Sequence, residues 1–491
     1  MTTRWLFADQ LGPHFIDVAS DQQVLLIEST GALRRRRYHR AKAHLILSAL
    51  RHRAAELGGR ATLIRTDGYA QGVAQFGGRL TVCDPTTRAA RALVRRLPDV
   101  EVLPSRGFLV DEGDFATWVQ GRRRLVMEDF YRHTRESTGI LMAGEEPVGG
   151  RWNFDHDNRQ PPPRDRETLG LPHPWHPAED DIDAEVREYL DALERSGQVS
   201  FIGRDGPRLF AVTRDEALTA LDDFIRHRLE GFGPHEDAVM SGDWVMAHSL
   251  LSVPLNLGLL HPTEVVDAAV AALENGAAPL SSVEGFVRQV IGWREWMWHL
   301  YWHLGEDYAD RNHLHAQTPI PAWFADCDAD AVTARCLSHS LAEVRDRGWT
   351  HHIVRLMILS NWALQRGYRP REVLDWFHAS FVDGFEWVMA ANVIGMGLHA
   401  DGGVVATKPY AGGGAYISRM TNLCRGCAYR PTERTGPRAC PFTAGYWWFL
   451  ERSAEDLRTN HRMAQPLAGL QRLSDRAELV RQEQSRGDAP P

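Results

Sequence analysis

His248-Ser-Leu-Leu-Ser-Val-Pro-Leu-Asn256 decides how the second half of this 491-residue chain is read. Its serines precede an apolar helical run, a layout that caps a helix and suits an anion such as a phosphate. Downstream, Arg288-Gln-Val-Ile-Gly-Trp-Arg-Glu-Trp296 and Gly348-Trp-Thr-His-His-Ile-Val-Arg-Leu-Met357 keep helical spacing. From 204 onward nearly everything is helical in pattern. The apolar period predicts helices over 215–229, 262–275, 283–304, 331–346, 351–365 and 371–381.

Upstream the pattern changes. Strand-like runs are predicted at 4–9, 23–28, 60–66, 80–84 and 100–105, with helix-patterned segments at 39–57 and 86–97. That alternation implies βαβ units and a doubly wound parallel sheet. No G-x-G-x-x-G follows the first strand, which argues against a Rossmann dinucleotide site. Ligands of such sheets bind beyond the carboxyl ends of the strands, where Asp9, Gln10 and Glu28 stand. Turn and cap roles are the competing reading of those three. Between 108 and 201 the pattern breaks, and the prolines at 161–163, 172, 174 and 177 mark a long connection. The expected layout is an α/β domain (1–125), a connection (126–203), an all-α domain (204–470) and a polar tail (471–491).

Hydrophobic content of 43% and charged content of 24% are those of a soluble globular protein. No apolar stretch reaches the roughly 18 to 20 residues of a membrane span. The opening Met-Thr-Thr-Arg-Trp-Leu-Phe lacks a signal-peptide layout, so the cytoplasm is expected. The net charge of −8 looks wrong for a nucleic-acid binder but does not describe the charge distribution. Lys42 and Lys408 are the only lysines, and arginine carries the remaining positive charge. Sixteen tryptophans are an excess that suits core packing and, for a few, electron hopping.

Of six cysteines, Cys336, Cys424, Cys427 and Cys440 have the spacing of a metal or iron–sulfur site that pins distant segments together. Pro441 after the last favours iron–sulfur, since bacterial cluster runs also end in Cys-Pro. A zinc-stabilised nucleic-acid module is the alternative. Cys83 and Cys327 read as ordinary buried thiols.

The ordered motifs, with Met127-Glu-Asp-Phe-Tyr-Arg132, Trp152-Asn-Phe-Asp155, Thr407-Lys-Pro-Tyr-Ala-Gly-Gly-Gly-Ala-Tyr416, Ala439-Cys-Pro-Phe442 and Asn460-His-Arg-Met463, resemble the photolyase/cryptochrome family. Within it, the four cysteines resemble the iron–sulfur bacterial branch that includes prokaryotic (6-4) photolyases. The resemblance implies an FAD in the helical domain. Ser249, Leu250 and Ser252 would lie near its phosphates, Gln289, Arg294 and Arg355 would make polar contacts, and Asp383 and Asn392 would face the ring system. It implies a 4Fe–4S cluster on Cys336, Cys424, Cys427 and Cys440. It also implies a 6,7-dimethyl-8-ribityllumazine antenna near Asp9, Gln10 and Glu28, with His39 or Lys42 beside it.

The implied activity is light-driven repair of (6-4) pyrimidine photoproducts in UV-damaged DNA by electron transfer from photoexcited reduced FAD. The damaged bases would be flipped into a pocket with His351 and His352 as active-site histidines and Tyr410 as their neighbour. Lys408 and Arg419 would hold phosphates, and Arg122–Arg124 would face the DNA. Trp376 and Trp387 would relay electrons. A cryptochrome-like blue-light photoreceptor regulating gene expression is the alternative, because Phe377 and Met389 stand where family members often have tyrosine and glutamate. A monomer without membrane association is expected.

Overall fold

In the computed structural model, which describes residues 2–17 and 21–491, five strands form one parallel sheet. They are β1 (Thr3–Leu6), β2 (Val24–Ser29), β3 (Ala61–Thr66), β4 (Leu80–Cys83) and β5 (Val100–Leu103), in the order β3-β2-β1-β4-β5. The chain starts in the middle and winds outward both ways, as the alternating pattern requires. Period-two alternation sends Trp5, Leu25, Ile27, Ile64 and Val82 to one face, where Val73 and Val94 of the crossover helices cover them. Leu6, Val24 and Leu26 face the other way, onto Leu45, Ala49 and Leu50 of α1 (Arg40–Leu57).

This second cluster continues without a break into Leu251, Leu255, Leu257 and Val266 of the helical half. The loop after β1 also locks onto that half: Leu11 N donates to Leu257 O (3.0 Å). A side chain at Gly258 (φ +67°) would meet Asp9 O at 2.7 Å, so only glycine allows the approach.

The connection is more regular than its composition suggested. It contains a helix at Met127–Thr138 and α2 (Asp181–Arg195), whose N-cap Asp180 forms a capping box with Asp183. Beyond it the elements that build the site are α3 (Ser252–Asn256), α4 (Glu295–His303), α5 (Arg335–Arg347), α6 (Asn361–Arg366), α7 (Pro370–Ser380), α8 (Glu386–Ala390) and α9 (Pro441–Arg452). Three π-helical stretches interrupt them, Arg288–Arg294, Arg355–Ser360 and Ala391–Gly397. Residues expected as a polar tail instead form α10 (Arg476–Arg486), held by a buried Arg366–Glu483 pair (2.7 Å). Its polar surface hid this, because one buried leucine and one paired glutamate carry the docking. Among the described residues no helix is long and apolar enough to cross a membrane.

Candidate active site and metal centre

The turn at His248–Ser252 is strained where the sequence flagged it. Leu250 has φ +59°, a backbone that a bulky side chain adopts only when its surroundings impose it. Ser249 and Leu250 line a cavity with Pro254, Phe210, Trp175 and Arg228. Arg228 is 2% exposed. One of its nitrogens pairs with Asp223, whereas Nε and Nη1 find no partner among the described residues. A buried guanidinium with two idle N–H groups at a cavity wall fits an oxyanion such as a dinucleotide phosphate. Sequence reasoning missed Arg228; only burial distinguishes it from the other arginines.

Asp383 is held from several sides. Arg355 Nη1 and Nη2 donate to its two oxygens at 2.9 and 3.0 Å, and Ser252 Oγ donates at 2.8 Å. Asn256 Nδ2 donates to its backbone carbonyl at 3.1 Å. Three predicted contacts, Ser252, Arg355 and Asp383, thus meet in one network, and Arg355 also lies over the Phe381 ring (4.3 Å). Gln289, Arg294, Arg355 and Asn392 all fall within the three π-helical stretches, an irregularity common at functional sites. Gln289 and Asn392 each spend their amide nitrogen on a carbonyl of their own helix, Gly285 O (3.1 Å) and Val388 O (2.7 Å). Arg294 lies at the domain seam, with Nη2 also directed at Leu255 O of α3 (3.5 Å). It donates to Gly107 O (3.2 Å), lies 4.3 Å over Phe108, and is pushed down to about 10 by burial.

His351 and His352 are joined by His248, which sequence reasoning treated only as the start of a motif. The His248 and His351 rings stack at 4.4 Å, and their ligand atoms and those of His352 lie within 4.8 Å of one another. His248 directs Nδ1 at Val245 O and Nε2 at Glu236 O, both at 3.1 Å. A neutral imidazole donates from one nitrogen only, yet burial pushes His248 down to about 3. Burial likewise holds His351 well below its ordinary value, and its Nδ1 has no partner among the described residues. The His352 side chain is 51% exposed and places Nε2 3.3 Å from Asp237 Oδ1. Burial works to raise the Asp237 carboxyl, but the hydrogen bond and charge of His352, with Arg159, hold it below the usual range. Tyr410 is exposed.

Trp376 packs on Phe324 (4.7 Å), Phe377 (5.0 Å) and Phe381 (5.9 Å), and so reaches the Arg355 network through one ring. Trp387 lies across the site, against Phe108 (5.1 Å) and Trp298 (5.8 Å). The Arg294 guanidinium lies over Trp387 (5.3 Å) and that of Arg91 over Trp298 (6.0 Å). A cation over an indole opposes its oxidation, so Trp376 has the better surroundings for giving up an electron.

The four cysteines come together. Cys336 opens α5, Cys424 and Cys427 lie in the loop before α9, and Cys440 is the N-cap of α9, with Pro441 at its first position. Burial raises the Cys336 thiol far up and Cys424 to about 11, and the charges of the other thiols add to both. Four thiols gathered from distant segments have the chemistry to hold a metal ion or an iron–sulfur cluster.

At the strand ends, Asp9 is half-buried, raised by desolvation and bonded to Thr86. The other three predicted antenna residues are spent. Gln10 donates to Cys83 O (2.9 Å), Glu28 takes both Arg51 nitrogens (2.8 and 3.1 Å), and His39 caps α1 and meets Arg345 O (3.1 Å). They do not offer a free polar edge to a lumazine; the buried charge needed a partner, and the fold supplied one.

Residues 4–200 match a family model described as deoxyribodipyrimidine photo-lyase-related protein. A (6-4) photolyase of Agrobacterium fabrum is 40% identical over 495 residues, covering 96% of this chain and 95% of the relative. A bacterial class III photolyase from Agrobacterium tumefaciens shares the fold at 17% identity, with a TM-score of 0.59 over 94% of this chain and 98% of that one. A cryptochrome from Synechocystis shares it at 14% identity and a TM-score of 0.54, over 81% and 82%.

Proposed function

This chain belongs to the photolyase/cryptochrome family, in the branch of the bacterial (6-4) photolyase, and we propose that it repairs (6-4) pyrimidine photoproducts in DNA under light. The observation that carries the reading is the His248–His351–His352 group with Asp237 at its exposed edge. Ser249, Leu250 and Arg228 would hold the phosphates of FAD, and Asp383, paired with Arg355, would face its ring system. Bound there in reduced form, FAD supplies light-driven one-electron reduction of the lesion.

The rest falls to the chain. His352 holds the proton that hydroxyl transfer between the bases requires, and Asp237 fixes its ring. His351, neutral and buried, presents a single hydrogen-bonding edge to the flipped lesion. Tyr410, Lys408 and Arg419 take the strand beside it. Cys336, Cys424, Cys427 and Cys440 hold a 4Fe–4S cluster that ties α5 to α9. Of the antenna residues, Asp9 alone keeps that role, and no step is assigned to an antenna. A cytoplasmic monomer is consistent with this chemistry.

The test is illumination of the purified, fully reduced protein with an oligonucleotide carrying one defined (6-4) lesion. Light-dependent restoration of both pyrimidines is expected; its absence sinks the repair reading. A protein that responds to light yet leaves the lesion intact is a photoreceptor.

A further inference from the structure

We propose that Lys42 is a positioning residue for the flavin site, acting on Asp383 across the seam between the sheet domain and the helical half. The proposal rests on the reading that Asp383 faces the flavin. Lys42 lies in the first turn of α1 and is 4% exposed. A buried ammonium is costly unless its donors are met. Here Nζ donates to His378 O at 2.5 Å and Gly384 O at 2.6 Å, while the Tyr38 and Phe385 rings close the box at 5.4 and 5.9 Å. No carboxylate contacts it among the described residues; burial pushes the amine down to about 7, with the Asp383 charge working against that shift, and the two carbonyls are what its N–H donors meet.

The two carbonyls say what the ammonium does. His378 belongs to the last turn of α7, where carbonyls lack partners within the helix and a cation is favoured. The backbone N–H of His39 meets the next of these, Ala379 O, at 2.9 Å. The C-terminus of α7 is thus capped by the start of a helix from the other domain. Gly384 lies on the far side of the turn, so one ammonium ties both ends together. The turn has no slack: a side chain at Gly384 would meet Phe377 O at 2.8 Å, His378 O at 2.9 Å and Phe381 O at 2.9 Å. Between the tied ends stands Asp383, left with one direction, toward Arg355 and Ser252.

Residue chemistry explains why this position is a lysine in a chain that has only one other, Lys408. A compact ammonium can serve two carbonyls from one point, whereas the planar guanidinium fork matches carboxylates and phosphates. Lys42 therefore orients a carboxylate that it never touches.

A double-mutant cycle on the full-length holoprotein tests this, read as the rate of flavin release well below the melting temperature and as the fine structure of flavin absorption. Lys42→Met and Asp383→Asn are each expected to speed release about tenfold and to blur the fine structure. Combined, they should do no worse than Asp383→Asn alone. Additive effects would overturn the proposal, because Lys42 would then stabilise the fold independently of Asp383. Wild-type release from Lys42→Met, with Asp383→Asn impaired, would overturn the proposal alone. Wild-type release from both variants would overturn it together with the flavin-facing reading of Asp383. Should Lys42→Met fail to fold, Lys42→Gln, which keeps a donor without the charge, carries the same measurements.

Discussion

His352 and Arg228 show how much one side chain's surroundings decide. Next to each other in sequence, His351 and His352 differ completely in space: one is buried against His248, the other half exposed beside Asp237. His352→Ala is therefore expected to lower repair of a (6-4) lesion by 100-fold or more, roughly the span of general acid catalysis, with flavin content unchanged. Single-turnover repair assays on flavin-matched protein check this. Repair near the wild-type rate would remove His352 from the chemistry. Arg228 gives the opposite signature. Replacing it with methionine removes a buried charge with two unmet donors, so the flavin-free chain should melt no lower than wild type. Flavin retention should nevertheless fall by tenfold or more, measured by dialysis against a fixed FAD concentration.

Among the elements, α5 and α9 depend on each other. Cys336 lies in the first turn of α5 and Cys440 at the N-cap of α9, and each thiol is raised by burial and by its neighbours' charge. Such thiols become ligands only if a cation offsets their mutual repulsion. Cys424→Ala is expected to lose iron and to lower the melting temperature of the helical half, because the α5–α9 tie opens. Iron analysis beside a thermal melt checks it; soluble, iron-free protein with an unchanged melt would contradict the structural role. The three π-helical stretches make a similar point. The apolar period of 283–304 and 351–365 predicts continuous helices, and the structure inserts wider turns where Arg294 and Arg355 must reach sideways. A hydrophobic period records which face is buried, not how tightly the backbone winds.

For the whole molecule, buried imidazoles set the acid limit. His248 and His299 are pushed down to about 3, His39 to about 4, and His351 well below the ordinary 6.5, each chiefly by burial. The unfolded chain binds more protons than the native one below pH 6.5, so stability falls with pH by about 1.4 kcal/mol per unit for each such histidine. Glu295 opposes this: burial raises it to about 7, so its contribution shrinks as pH rises from 4.5 toward 7. His14 and His378 shift with these imidazoles, and Asp9, Asp84, Glu236 and Glu284 shift with Glu295; the histidines govern the window just below 6.5, where their unfolded forms take up protons. The melting temperature should drop steeply between pH 6.5 and 5, and a flat profile there would refute the account. Five strands, the main helices of the second half and the four ligand cysteines were legible in the sequence, because apolar period and thiol spacing are local signals. The helix at 181–195 and the docked α10 were not, since polar surfaces conceal their few buried contacts. Nor could spacing distinguish Gln10, Glu28 and His39, spent inside the sheet domain and its seam, from Asp9. The sequence by itself determined the family, the two kinds of domain and the thiol set. Only the tertiary structure decided that His248 joins the histidine pair, that Arg228 faces a cavity and that Lys42 reaches Asp383's turn. Those facts depend on burial and on partners more than a hundred residues away, and no local pattern encodes either.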